Sequence, residues 1–262
     1  PKLLKDDGKM DEKTRQLIAK MHKAISILQF KTEAQIIQRH PEWKMEDRNL
    51  IERIDLKKQT CEANGVIHSM KSCHFPTIIE GKASELTPEE VDLMQKLHHS
   101  FRVSEKLRKL IRTILSHGCM YTVCNKNLLF HASIPLNDDG SLKEVSIMNQ
   151  TYSGRELLDA IGQTIRSAFQ NDTPANQKAF AKDYFLYLWC GKDSPLFDKS
   201  KMSTFERYFL TDKDTYHEEK GNYFKLRDSA EVCDCILDAF GVTGNNRHII
   251  NGHVPIHVSK GE

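Results

Sequence analysis

The sequence has 262 residues, enough for one large domain or two smaller ones with a real core. Its 38 basic and 36 acidic side chains leave a net charge of +2, which forecasts neither nucleic acid nor an anionic membrane as a partner. No apolar run approaches the roughly 20 residues that span a bilayer. The seven cysteines, an odd number without a Cys-x-x-Cys pair, argue for reduced thiols over a disulfide framework or a zinc ribbon.

In chain order, residues 1–9 are charged and expected to fray. A long helix follows. Its apolar stripe is Leu17, Ile18, Met21, Ala24, Ile25 and Leu28, extended by Ala34, Ile36 and Ile37, and Pro41 limits it. A short helix is expected at 46–54. Asn64-Gly65, flanked by Thr60–Ala63 and Val66–Met70, predicts a two-residue hairpin. Thr87-Pro88-Glu89-Glu90 opens a helix to about His98, with a capping threonine, proline at the first position and glutamate at the third. Ser104 caps another, with Leu107, Leu110, Ile111, Ile114 and Leu115 facing inward, and Gly118 ends it. Residues 1–118 therefore read as a mainly helical segment with one small β-hairpin and no motif that carries chemistry. The adjacent pairs His98-His99 and Cys73-His74 lack partners at metal-ligand spacing.

At Cys119 the pattern changes. Runs at 120–124 and 128–134 read as strands, and a third is expected at 145–148. The acidic stretch at 136–140 reads as a plain turn, since its spacing does not fit a calcium loop. Helices are expected from 153 to 169, from Thr173-Pro174 to Trp189 on the face Phe180, Tyr184, Phe185 and Leu188, at 204–210, and from 229 to 240. Tyr187 and Trp189 read as core more readily than as a sugar platform. Strands at 248–251 and 255–258 close the sequence. Strand, helical excursion and strand again predict an α/β (α+β) fold, with no internal repeat.

Two stretches share one grammar. Leu128-Leu129-Phe130-His131-Ala132-Ser133-Ile134-Pro135 and Ile249-Ile250-Asn251-Gly252-His253-Val254-Pro255 each run from apolar residues into a histidine, with a small residue beside it and a proline shortly after. Each presents an imidazole at a strand end, and together they suggest one metal site assembled by folding.

These two stretches resemble the last two metal motifs of the calcineurin-like metallophosphoesterases. Further words are more specific: residues 128–137, Tyr-Leu-Trp-Cys-Gly-Lys-Asp-Ser-Pro-Leu-Phe at 187–197, Thr-Phe-Glu-Arg-Tyr-Phe at 204–209, and 248–255. They resemble class III fructose-1,6-bisphosphatase, the type found in Firmicutes and Bacteroidetes. The similarity runs along most of the chain, including 25–45 and 154–159.

The resemblance implies the C-terminal part of a calcineurin-like four-layer metallophosphoesterase sandwich at 119–262, with a large helical insertion at about 153–240. It implies a dinuclear Mn²⁺ (or Mg²⁺) centre in the parent enzyme, with His131 and His253 as ligands of the same ion. Many relatives place a second histidine two residues after Gly-His; Pro255 stands there instead, as in the subgroup that includes protein serine/threonine phosphatases. His257 is not assigned as a ligand, and His248 is a candidate either for a structural role or for supporting a metal ligand. The aspartate-bearing motifs Asp-x-His, Gly-Asp-x-x-Asp-Arg-Gly and Gly-Asn-His-Asp or Glu do not occur in the chain. The expectation is therefore a piece of a longer enzyme, inactive by itself, with no catalytic residue assigned in it.

The implied reaction is hydrolysis of fructose 1,6-bisphosphate to fructose 6-phosphate and phosphate, serving gluconeogenesis in a bacterial cytoplasm. Arg207 and Lys192 are the leading candidates to hold the second phosphate, ahead of Lys199, Lys201 and Arg155. Two rivals stand beside this: another metallophosphoesterase, such as a protein phosphatase sharing both histidines, or a non-catalytic helical module for assembly or regulation. Self-association into a homo-oligomer is left open.

Overall fold

The structure is a computed structural model and describes residues 10–253. The expectations for residues 1–9, for a strand at 255–258 and for His257 lie outside those residues. The chain forms two compact units, one from residues 10–103 with Thr204–Tyr216 and one from Ser104–Ser203 with 217–253.

The first unit opens with helix α1, Glu12–Arg39, which Asp11 caps by accepting the Thr14 N–H at 2.8 Å. Its buried face is Ile27, Phe30, Ala34 and Ile37, at helical spacing. The expected stripe holds at Leu28, Ala34 and Ile37, which are buried, and fails in the first half of the helix, where Leu17, Met21 and Ile25 are 57%, 62% and 47% exposed. The core that α1 joins contains Leu50, Ile51, Cys61 and Met70, and it engages only the second half of the helix, on the face set by Ile27 and Phe30. The helix expected at 46–54 is instead two 3₁₀ turns, Glu46–Arg48 and Leu50–Arg53, broken by Asn49 at φ −79°, ψ 59°.

Strands β1 (Ile54–Asp55), β2 (Thr60–Ala63) and β3 (Val66–Ser69) form an antiparallel sheet in that order. The Ala63–Val66 pair closes on Asn64 and Gly65 at φ 53° and 75°, the left-handed pair a two-residue hairpin requires. Helix α2, Pro88–Val103, starts with the reciprocal cap read from the sequence: Glu90 N–H donates to Thr87 Oγ1 at 3.3 Å and Thr87 N–H to Glu90 Oε2 at 2.9 Å. It runs past the expected stop at His98, since neither glycine nor proline intervenes before Ser104.

In the second unit Ser104 caps α3, Glu105–His117, by accepting the Leu107 N–H at 3.4 Å. The inward face expected here is not buried: Leu110 and Ile114 are 52% and 66% exposed. Periodicity sets an apolar stripe, but burial requires a neighbouring layer. Strands β4 (Tyr121–Cys124) and β5 (Asn127–Phe130) form a hairpin over Asn125 and Lys126, both at positive φ. The strand expected at 128–134 ends at Phe130. Beyond it Ala132, Ser133, Ile134 and Leu136 run as a buried loop, and Ser133 N–H donates to Pro195 O at 3.0 Å.

Strands β6 (Val145–Ile147) and β7 (Gln150–Tyr152) form a second hairpin, of which only β6 was expected. Helices α4 (Gly154–Ser167) and α5 (Ala175–Cys190) follow. Helix α5 buries Ala181, Tyr184, Leu186, Tyr187 and Leu188, while Phe185 and Trp189 stay exposed, a rotated version of the expected face. Helix α6, Thr204–Phe209, returns to the first unit, where Phe205 and Phe209 pack edge-on against Phe30 with ring centres 5.1 and 5.9 Å away. Back in the second unit come α7 (Asn222–Leu226), which the sequence did not foretell, α8 (Ala230–Ala239), and β8 (His248–Asn251). Strand β8 lies parallel to β5, giving the sheet order β4-β5-β8. No described helix is long and apolar enough to cross a membrane, and all seven cysteines are free thiols.

Candidate metal centre and adjoining cleft

The register of β5 and β8 builds the site. Phe130 pairs with Asn251, so the two strands leave the sheet side by side at their carboxyl ends. That is where open parallel sheets place ligands. His131 follows β5 directly and His253 follows β8 after one glycine. The two loops are joined: Gly252 N–H donates to His131 O at 2.9 Å, and the Asn251 side-chain amide donates to Ala132 O at 2.9 Å. The Tyr223 hydroxyl, from α7, donates to Asn251 Oδ1 at 3.0 Å and holds that amide in place.

The imidazoles meet. His131 Nε2 lies 3.0 Å from His253 Nδ1, with ring centres 4.9 Å apart and planes at 68°. Both rings are exposed, and His253 sits at φ 67°, an uncommon conformation for a residue with a side chain. Its pKa is held below the ordinary histidine value, first by desolvation and then by His131 and Lys199. A depressed pKa keeps the ring neutral and its nitrogen available as a ligand. Two nitrogens bound to one ion at about 2.1 Å each lie roughly 3.0–3.4 Å apart, so the spacing fits a pair of donors to one ion. Among the described residues no group of three or more His, Cys, Asp or Glu side chains gathers as a metal site.

His248 stands at the opposite end of β8, its Nδ1 3.2 Å from Asn127 Oδ1. Arg207 belongs to the helical unit, where it donates to Tyr216 O at 3.0 Å and lies over the Tyr216 ring at 5.5 Å. Lys192 belongs to the same unit as the histidines. It is exposed and lines a cleft of about 340 Å³, together with Lys143, Asp193, Asp198, Lys199, Lys220 and Lys225. Sequence reading missed Asn251 as the clamp between the loops, because Asn-Gly before a histidine looks like a turn. It also missed Asp198, Lys220 and Lys225, which carry no local signature.

The mixed α/β unit thus sets two imidazoles side by side at the carboxyl ends of its parallel strands β5 and β8. The sequence matches the Firmicute fructose-1,6-bisphosphatase family along residues 1–262, and the chain belongs to that family. A class 3 fructose-1,6-bisphosphatase of Phocaeicola vulgatus is 52% identical over 263 residues, covering 100% of this chain and 40% of the relative. That of Parabacteroides distasonis is 53% identical over 262 residues, covering 100% and 39%. That of Clostridium botulinum is 46% identical over 256 residues, covering 98% and 38%. The chain thus spans about two-fifths of the length of these curated relatives (40%, 39% and 38%). No solved structure matches it.

Proposed function

We propose that the full-length protein carrying this chain is a metal-dependent sugar-bisphosphate phosphatase. It hydrolyses fructose 1,6-bisphosphate to fructose 6-phosphate and phosphate in the bacterial cytoplasm, as a step of gluconeogenesis. The observation that carries this reading is the 3.0 Å approach of His131 to His253 at adjacent parallel strand ends, in a chain whose relatives are named for that activity. Residues 119–262 are the C-terminal part of a calcineurin-like sandwich with an insertion at about 153–240, and 1–118 are an added helical segment. Its partner in this reading is the sugar bisphosphate, with neither nucleic acid nor a membrane.

His131 and His253 hold one ion of a dinuclear manganese or magnesium centre. The bound metal supplies positive charge against phosphoryl oxygens and lowers the pKa of water. The chain's own part is to aim two neutral nitrogens. Asn251 and Tyr223 fix the loops that carry them. Of the two cations proposed for the second phosphate, Lys192 has the stronger support: it is exposed on a cleft in the same unit, whereas Tyr216 engages Arg207.

The test is Mn²⁺-dependent hydrolysis by the full-length protein. His131→Ala and His253→Ala each lower kcat/KM for fructose 1,6-bisphosphate by more than about 100-fold, since even outer-shell changes at metal sites cost about 10–100-fold. Activity toward a phosphoserine peptide in place of the sugar would overturn the substrate; full activity in both variants would overturn the ligand assignment.

A further inference from the structure

Helix α7 has five residues, too few to hold itself together in water. Its place is set by what its entry touches, and these contacts reach both histidine loops. Gly221 N–H donates to Asp198 O at 2.8 Å, in the loop after α5. Asn222 Nδ2 donates to Leu136 O at 3.1 Å and to Asp138 Oδ1 at 2.9 Å, on the chain that continues from His131. The Tyr223 hydroxyl reaches Asn251 at the end of β8, and its ring packs edge-on against Phe130, the last residue of β5, with centres 5.6 Å apart. Consecutive residues 221, 222 and 223 thus grip the loop after α5, the chain beyond His131 and the strand that precedes His253.

The loop after α5 is the fixed point. Ser194 is 0% exposed, and its Oγ donates to Leu188 O of α5 at 2.6 Å while accepting the Leu196 N–H at 3.2 Å. Its carbonyl accepts the N–H groups of Phe197 at 3.1 Å and Asp198 at 3.0 Å. From this anchored turn Pro195 O accepts the Ser133 N–H at 3.0 Å, two residues beyond His131. One loop therefore holds the His131 stretch directly and the His253 stretch through α7. The second route runs from Asp198 O to Gly221, then through Tyr223 to Asn251, whose amide closes on Ala132 O at 2.9 Å.

Gly221 is the point of least tolerance. Its φ of −66° and ψ of 170° are open to any residue, and at the position before a helix serine, aspartate or asparagine is preferred over glycine. Glycine is needed there for space: a β-carbon would stand 2.0 Å from Asp198 Oδ1 and 2.4 Å from Asp198 Cγ. Asp198 is itself confined, 5% exposed with its backbone at φ 49° and Oδ2 unpartnered. Left-handed strain and an unpaired buried oxygen persist where the surroundings over-determine them, and they cluster at functional sites.

We propose that Gly221-Asn222-Tyr223 is a clip that sets the spacing of His131 and His253, with Gly221 and Asn222 as positioning residues that act through the loops carrying the rings. The value of the clip to the reaction rests on the metal-ligand reading; the clip itself is read in metal-free protein. Hydrogen exchange of the 262-residue chain in EDTA, and manganese activation of the full-length protein, are compared in Gly221→Ala, Asp198→Gly and the double variant. Glycine suits φ 49° at 198 and takes the carboxylate out of the path of the new methyl group. Gly221→Ala speeds exchange of the Gly252 amide, the donor to His131 O, by at least about tenfold, while the amide of buried Ile161 in α4 keeps its rate. It also lowers the apparent manganese affinity about 10–100-fold, with KM for fructose 1,6-bisphosphate held within about twofold. The double variant returns both readouts to within about threefold of Asp198→Gly alone. Tyr223→Phe, which deletes one hydroxyl and adds no atom, speeds Gly252 exchange in the same way and serves where Gly221→Ala does not fold. Unchanged Gly252 exchange in Gly221→Ala and Tyr223→Phe overturns the proposal, as does a double variant as impaired as Gly221→Ala. Equal acceleration at Ile161 overturns it in favour of general destabilisation. If Gly252 exchange shifts and is rescued while manganese affinity never changes, the ligand reading fails and the clip stands. If His131→Ala and His253→Ala abolish hydrolysis while Gly221→Ala leaves Gly252 exchange alone, the clip fails and the ligand reading stands.

Discussion

The Lys31–Glu90 cluster and the His131–His253 pair both join side chains far apart in sequence, and they differ in how completely their hydrogen-bonding capacity is used. Lys31 is 0% exposed, and its three N–H donors meet Thr77 O at 2.7 Å, Glu85 O at 2.8 Å and Glu90 Oε2 at 2.7 Å. Glu90 in turn caps α2 through the Thr87 N–H. Nothing there is left for a ligand. The histidines are exposed, meet only through one nitrogen each, and hang on loops whose positions depend on Asn251. A saturated buried polar group fixes the fold, because removing its partner strands a charge. An open pair at strand ends contributes little to folding and is free to bind.

The sharpest way to break this contrast is Lys31→Ala. It leaves Glu90 and two carbonyls without their partner, and should cost about 3–5 kcal/mol, read as a lower urea midpoint at unchanged slope. The double change Lys31→Met/Glu90→Gln should recover part of that loss; a double variant as unstable as the single one would mean that the cavity, not the stranded charge, sets the cost. Acid gives a second view. Burial alone would raise the Glu90 pKa, but the hydrogen bonds from Lys31, Thr77 and Thr87 outweigh it and hold the carboxyl below its ordinary value. With the folded pKa below the unfolded one, the stabilisation is present above the unfolded value and lost as pH falls through the folded one. Glu90→Gln should lack that acid-sensitive component.

Asp198 should behave in the opposite sense. Burial pushes its pKa up to about 6 from 3.8, with Asp193 adding to the rise against the pull of Ser133. The folded state therefore holds this proton more tightly, and stability falls as pH rises from about 3.8 through 6. Asp198→Asn should remove that slope and stabilise the protein at pH 7.5 by about 1–3 kcal/mol, since asparagine tolerates the left-handed backbone here. Unfolding curves at pH 4, 5.5 and 7.5 decide it; a slope unchanged in the variant would mean that another group titrates in this window.

Much of the frame was legible because its signals are local. The Thr87–Glu90 cap, the Asn64-Gly65 turn and the strand at 248–251 depend on a few adjacent residues. The faces of α1 and α3 were misread because an apolar stripe says only which side would be buried if a layer lay against it. Leu17, Met21, Leu110 and Ile114 have the right period and remain exposed. The histidine pair was legible as two similar words, and the parallel register of β5 and β8 brings them together. The cleft was not, since lysines at 192, 220 and 225 become one group only when the 192–200 loop pairs with 219–221.

Asn251→Ala tests the link between frame and site. It deletes the bonds to Ala132 O and from Tyr223, which should cost about 1–3 kcal/mol. Faster exchange of the Gly252 amide, which donates to His131 O, would place the loss in the paired loops. Unchanged exchange would mean that the strand register alone holds them.

The smallest expected effect on folding is also the most informative about function. His131→Ala and His253→Ala remove exposed rings that share one contact, so each should change stability by no more than about 0.5 kcal/mol. Manganese binding by the chain, followed calorimetrically, should be measurable only while both rings are present, and weak because two donors make an incomplete shell. Large destabilisation without metal would recast the pair as a structural bond like that of Lys31. Manganese binding that survives the double variant would move the metal to other donors. Stability kept while binding is lost is the outcome that separates a ligand pair from a fold-fixing one, because a structural contact cannot be deleted without cost and a ligand without metal can.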